Sequence, residues 1–193
     1  DSAYFDMHLS LANLPPATGQ YRALVDLLGH AHLGGKTVLC LIDGLYSGVH
    51  PDDVAPRRWD APPFNGDWTS SLFASQDPIA LDSVCFDLMQ EEGDPRNYPK
   101  LPGADDYLHE AARADDPPSG TFYDPNHAGD AVRLPSLGVH EHWNNPTDMQ
   151  YSRNLGTADG IELLRIGTVT GVEDSPPDSR SALRNSPKPF TRI

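Results

Sequence analysis

Two histidines one residue apart, His140 and His142 in the run Gly138-Val-His-Glu-His-Trp-Asn144, are the sharpest chemical signal in this chain. In an extended segment side chains alternate, so the two imidazoles share a face and Glu141 points the other way. A pair of neutral imidazoles on one face is a usual start for a zinc, iron or copper site. His-x-His does not name its third ligand. His50, His109 and His127 are candidates, as are the carboxylates Asp43 and Asp77. The alternative is a pair of hydrogen-bonded structural histidines packed beside Trp143.

Asp43 and Asp77 come forward because of the elements that must carry them. The run Thr37-Val-Leu-Cys-Leu-Ile42 is continuously apolar and rich in β-branched residues, the pattern of a strand buried on both faces of a parallel sheet. It ends at Asp43-Gly44. A second short strand is expected at residues 71–75. A helix then opens with Asp77 as N-cap and Pro78 at the first helical position, where its missing N–H costs nothing. Leu81, Val84, Cys85, Leu88 and Met89 form its apolar stripe. In open parallel sheets ligands bind beyond the carboxyl ends of the strands. If the two strands run parallel, Asp43 and Asp77 project from one edge as metal ligand or general base. The plainer readings are a turn residue in Asp-Gly and an ordinary helix cap.

The loop at residues 44–69 would leave from that same edge. It carries Pro51, Pro56, Pro62 and Pro63, and three aromatics, Trp59, Phe64 and Trp68, suited to ordering it and to lining a substrate site. Loops longer than about 12–15 residues in compact domains are usually functional or disordered, and the aromatics favour the ordered case. Further helices are expected from Tyr21 to Leu28 and over residues 105–114, and further strands over residues 137–143 and 160–170. The fold class that follows is α/β, a mainly parallel sheet with flanking helices and long Pro-rich loops. Residues 1–170 make a single domain and residues 171–193 a polar, Pro/Ser-rich tail or linker.

Composition narrows the partners. The 193 residues carry 28 acidic and 14 basic side chains, a net charge of −14. Such a surface repels a phosphate backbone and anionic lipid, whose binding calls for clustered Lys and Arg. It concentrates cations instead, or serves solubility alone. No apolar run approaches the roughly 20 residues of a membrane span. Nucleic-acid binding and membrane insertion are therefore not expected. Cys40 and Cys85 both fall in apolar patterns and read as small core residues. There is no Gly-x-Ser-x-Gly elbow, Walker loop, Gly-x-Gly-x-x-Gly, His-Glu-x-x-His or Cys-x-x-Cys.

Leu41-Ile-Asp-Gly44, followed by Ala74-Ser-Gln-Asp-Pro-Ile-Ala-Leu-Asp82, resembles the bacterial family known as domain of unknown function 362. The runs Gly138–Pro146, Tyr151-Ser-Arg-Asn-Leu-Gly156 and Gly160-Ile-Glu-Leu-Leu164 resemble its exported branch, so that the likeness covers about residues 35–165. The resemblance implies an α/β fold and a secreted or periplasmic location, and it supplies no reaction. Members with ferredoxin-type cysteine motifs differ from this chain. Members are also longer at the N-terminus, and the chain begins at Asp1 rather than Met. A preceding segment or another chain is thus expected to complete the domain.

Taken together, these features favour a metal-dependent enzyme, a hydrolase of a small substrate. A zinc- or iron-like divalent ion would be held by His140 and His142, with Asp43 or Asp77 as further ligand or base. The competing reading is a non-catalytic exported module that binds a ligand or protein through the aromatics of residues 44–69.

Overall fold

The structure is a computed structural model of the chain, and it describes residues 19–48, 55–92 and 103–167. Its elements run α1 (Ala23–Gly29), a 3₁₀ turn (Gly34–Lys36), β1 (Cys40–Gly44), β2 (Ser71–Ser75), α2 (Pro78–Glu92) and α3 (Asp106–Ala112). Loops make up the rest of the described chain. Among the described residues no helix is long and apolar enough to cross a membrane.

The sheet corrects the expected fold class. It has two strands, and they pair antiparallel, with Cys40 opposite Ser75, Ile42 opposite Phe73 and Gly44 opposite Ser71. This is not a mainly parallel α/β sheet. Parallel neighbours need a crossover, usually helical. Here the Pro-rich connection folds back on itself instead, with isolated antiparallel bridges inside it between Ser47 and Arg57 and between Trp59 and Asp67. Nor is β1 buried on both faces. Its residues alternate between half-buried and exposed, and Leu41 is 67% exposed. The apolar run that imitates a central strand is one sheet face on the core and one face outward. Residues 137–143 and 161–167 form no strand, and residues 168–193 lie outside the described chain.

Helix α2 organises the interior, and its start follows the capping chemistry of the sequence. Asp77 Oδ1 accepts from the Ala80 amide at 2.9 Å, and the Asp77 carbonyl takes the Leu81 amide. Two apolar clusters flank this helix. Ile79 joins Val25, Leu108, Ala111, Ala114 and Tyr123 on one side. Val84 and Leu88 join Met149, Tyr151 and Ile161 on the other, with Trp59, Phe64, Phe73 and Trp143 packed around them. Between the two clusters runs a polar stripe, Ser83 and Asp87, one turn apart and therefore on one face. Cys40 and Cys85 are free thiols and half-buried.

Buried acids tie the loops to this frame. Asp106 pairs with Arg22 Nε at 2.5 Å, both side chains nearly inaccessible, and takes the Gly19 amide on its other oxygen. Glu110 accepts from the Ser119 amide and hydroxyl and from the Tyr123 hydroxyl. Glu92 takes the amides of Asp60 and Ala61.

Leu88 is 6% exposed, whereas its neighbour Met89 is 48% exposed and departs from the apolar stripe read in the sequence. Leu88→Ala should therefore cost about 2–5 kcal/mol through lost transfer energy and the cavity left behind. Met89→Ala should stay within about 0.5 kcal/mol. Urea denaturation of the two variants checks the contrast, and equal losses would place Met89 in the core.

Candidate metal centre

The loop carrying the histidines lies directly on the first turns of α2. Asp77 Oδ2 accepts the Val139 amide at 2.9 Å, so the carboxylate that caps the helix also docks this loop. Gly138 makes the approach feasible: a Cβ there would fall 2.1 Å from Asp77 Oδ1. From that anchor the side chains contact opposite sides in turn, His140 and His142 one way and Glu141 the other. His140 and His142 turn toward the polar stripe of α2. Glu141 turns away, where its Oε1 accepts from the Ser152 hydroxyl and the Ile161 amide.

Each imidazole is gripped through Nδ1. His140 Nδ1 lies 2.8 Å from Ser83 Oγ, and Ser83 Oγ lies 2.7 Å from the Ile79 carbonyl one turn back. A hydroxyl has one proton, and we assign it to that carbonyl. The Ser83 oxygen then accepts from His140, which fixes the Nδ1–H tautomer and leaves a lone pair on Nε2. His142 Nδ1 donates to Asp87 Oδ1 at 2.6 Å. The other oxygen of Asp87 takes the Trp143 amide at 3.0 Å and the Tyr151 hydroxyl at 2.9 Å. Nε2 of His142 is thus also left as an acceptor.

The third member is Asp105, at the N-cap of α3, whose side chain makes no cap hydrogen bond to that helix. Its Oδ2 lies 3.8 Å from His142 Nε2 and 3.2 Å from His109 Nε2. One donor atom from each of Asp105, His140 and His142 falls within 4.8 Å of the others, a group that could hold a metal ion. Ligands of a tetrahedral ion with bonds of about 2.0–2.1 Å stand roughly 3.3 Å apart, so a modest contraction closes the group. His140 Nε2 is buried and has no hydrogen-bond partner, although buried polar atoms are nearly always paired. The outer rings stack in series: His109 on His140 at 4.4 Å and His140 on His142 at 4.9 Å, both edge-on. His142 is exposed, so the group opens to solvent on that side.

Other residues singled out from the sequence lie elsewhere. Antiparallel pairing sends Asp43 and Asp77 to opposite ends of the sheet: Asp43 stands opposite Leu72, while Asp77 follows Ser75, the partner of Cys40. Asp43 is exposed and holds the Leu45 amide in a local turn at 2.9 Å. Asp77 is committed to its cap and to Val139. The nearby carboxylate is Asp105 instead. His50 falls outside the described residues, and His127 is exposed in a turn. Trp59 stacks edge-on against Phe64 at 5.5 Å, and Phe64 and Trp68 help line a cavity of about 290 Å³ with Phe73, Trp143 and Met149. Neither His140 nor His142 lines that cavity.

Sequence reasoning passed over Asp105, Ser83 and Asp87. A signal for the latter two was present. Ser83 and Asp87 stand at i and i+4 on the face of the helix flanked by Ile79, Val84 and Leu88, and a polar pair on a buried face needs partners. Compared with family models, curated proteins and solved structures, the chain matches none.

The two histidines of this group have opposite protonation behaviour. Burial lowers His140 to about 4, helped by His109 and His142 beside it. His142 is raised above its ordinary value, first by its hydrogen bond to Asp87. His140 is therefore ready to bind an ion throughout the neutral range, and His142 is the nitrogen at which protons compete. Zinc affinity should weaken as pH falls through the His142 range, above about 6.5, rather than near 4. In the metal-free protein the raised pKa of His142 contributes stability that is present below about 6.5 and lost as pH rises through its folded value. The lowered pKa of His140 contributes stability that is present above about 6.5 and lost as pH falls toward 4. Nuclear magnetic resonance titration of the ring protons should find the two on opposite sides of 6.5. A shared midpoint would contradict this environment.

Proposed function

We propose that this chain is a divalent-metal-dependent hydrolase of a small substrate, with the ion held by His140, His142 and Asp105. The observation that carries this reading is the Nε2 of His140: buried, unpartnered, and turned by Ser83 into the form that can ligate. Two nitrogens and one carboxylate oxygen leave coordination positions for water and substrate, the composition of catalytic zinc and non-haem iron sites. Bound there, a divalent ion would polarise a substrate carbonyl or supply a hydroxide at neutral pH.

The protein's own groups prepare that chemistry. Ser83 and Asp87 fix both tautomers before an ion arrives, as the outer partners of ligating histidines commonly do. Trp143 and Tyr151 hold Asp87 itself, so His142 cannot swing without disturbing the second apolar cluster. Exposure on the His142 side gives substrate a way in, and the net charge of −14 raises the local cation concentration. Asp43 and Asp77 have no part in this reading.

A second reading, a ligand-binding module, is favoured by the aromatic cavity that Phe64, Trp68 and Trp143 line. Elemental analysis separates the two. After equilibration with zinc and desalting, the protein should retain about one ion per chain. The His140→Ala/His142→Ala double variant should retain none. A wild-type protein that emerges empty refutes the metal reading and leaves the binding module.

A further inference from the structure

Of the three residues in the metal group, the two histidines are each held at Nδ1 by a residue of α2. Asp105 is held differently. Its side chain does not cap α3, and its contacts are His142 Nε2 at 3.8 Å and His109 Nε2 at 3.2 Å. We infer that His109 is the positioning residue for Asp105: it donates Nε2–H to Oδ2 and holds the carboxylate in the group without itself binding the ion. This inference rests on the metal-centre reading above.

Three features of the geometry support it. Asp105 and His109 stand one helical turn apart at the start of α3, so their side chains share a face. The His109 ring meets the His140 ring edge-on at 4.4 Å and 88°, and His140 is itself fixed by Ser83, so the orientation of His109 is set from two directions. Finally, a carboxylate oxygen has more than one lone pair, so Oδ2 can accept from His109 and still face an ion. His109 Nε2 is not among the donor atoms that converge within 4.8 Å, which separates it from the ligands themselves. The pattern then matches across the site. Ser83 holds His140, Asp87 holds His142 and His109 holds Asp105, each through a hydrogen bond to a group outside the ligand set.

A plain helix-surface pair at i and i+4 would leave metal binding untouched, and this decides the test. Zinc affinity is measured by competition with a chromophoric chelator for the wild type, His109→Ala, His109→Gln and His140→Ala, with circular dichroism to verify folding. Cobalt(II) absorption of each protein reports the donor set. Loss of an outer partner of a ligand typically weakens binding about 10- to 100-fold. We expect that loss in His109→Ala with the cobalt bands unchanged in position and intensity. His109→Gln keeps an N–H donor at similar reach and should recover most of the affinity. Wild-type affinity in His109→Ala, alongside weakened binding in His140→Ala, overturns the role of His109 and leaves the metal centre standing. Altered cobalt bands in His109→Ala with no recovery in His109→Gln overturn it too, by making His109 a ligand. Undiminished affinity in His140→Ala overturns the centre itself, and this inference with it.

Discussion

The carboxylate of Asp87 is the point on which this structure turns. It is 6% exposed, and it meets three donors: the His142 ring, the Trp143 amide and the Tyr151 hydroxyl. An ionised carboxylate in an apolar interior is costly unless its oxygens are occupied. Here each oxygen is, and the donors come from two separate stretches of loop. The same device recurs at Asp106 and Glu92, bonded to loop backbone far along the chain, and at Glu110, bonded to the loop just after its own helix. With a sheet of two strands among the described residues, the loops have few ladder hydrogen bonds to use, and buried backbone groups must be satisfied somehow. Helix carboxylates take that place. They explain how so Pro- and Gly-rich a chain holds defined loops, and why part of its acidity lies inside rather than on the surface.

Position on α2 determines what each of its residues does. Ile79 faces one apolar cluster, and Val84 and Leu88 face the other. Ser83 and Asp87 occupy the seam between, where a third segment can lie down on the helix without displacing apolar contacts. Residues 138–143 fill that seam. The candidate site is therefore a product of core packing: two clusters on either side of the helix, and a polar line between them that needs partners. Imidazoles suit that line, because each satisfies a buried acceptor with one nitrogen and keeps the other free.

How much of this could be read from residues alone differs from element to element. Asp77-Pro78 announced the start of α2, because capping is local chemistry within four residues. Residues 71–75 were legible as a strand as well. The direction of pairing was not. Leu39, Leu41 and Ile42 look alike in sequence whether a strand is central or half exposed, and 26 residues between strands can hold either a crossover or a folded-back hairpin. His140 and His142 were legible because alternation operates in any extended chain, sheet or not. Asp105 was not legible as their partner, since a carboxylate before a helix reads as a cap. Only tertiary packing of α3 against α2 shows that its side chain has left the helix end.

Asp77 shows how a residue can be well chosen and misassigned. Its type and position suggested a ligand at the carboxyl end of a strand. Antiparallel pairing removes that edge, since β1 ends where β2 begins. Yet the residue remains close to the chemistry in another sense. One of its oxygens starts α2 and the other fixes Val139, one residue before the first histidine. Gly138 lies against it so closely that no side chain fits. The helix start and the start of the histidine loop are thus held by a single carboxylate. The offset between them is what brings His140 level with Ser83 and His142 level with Asp87. A shift of one residue in that anchor would turn both rings to the face that Glu141 occupies.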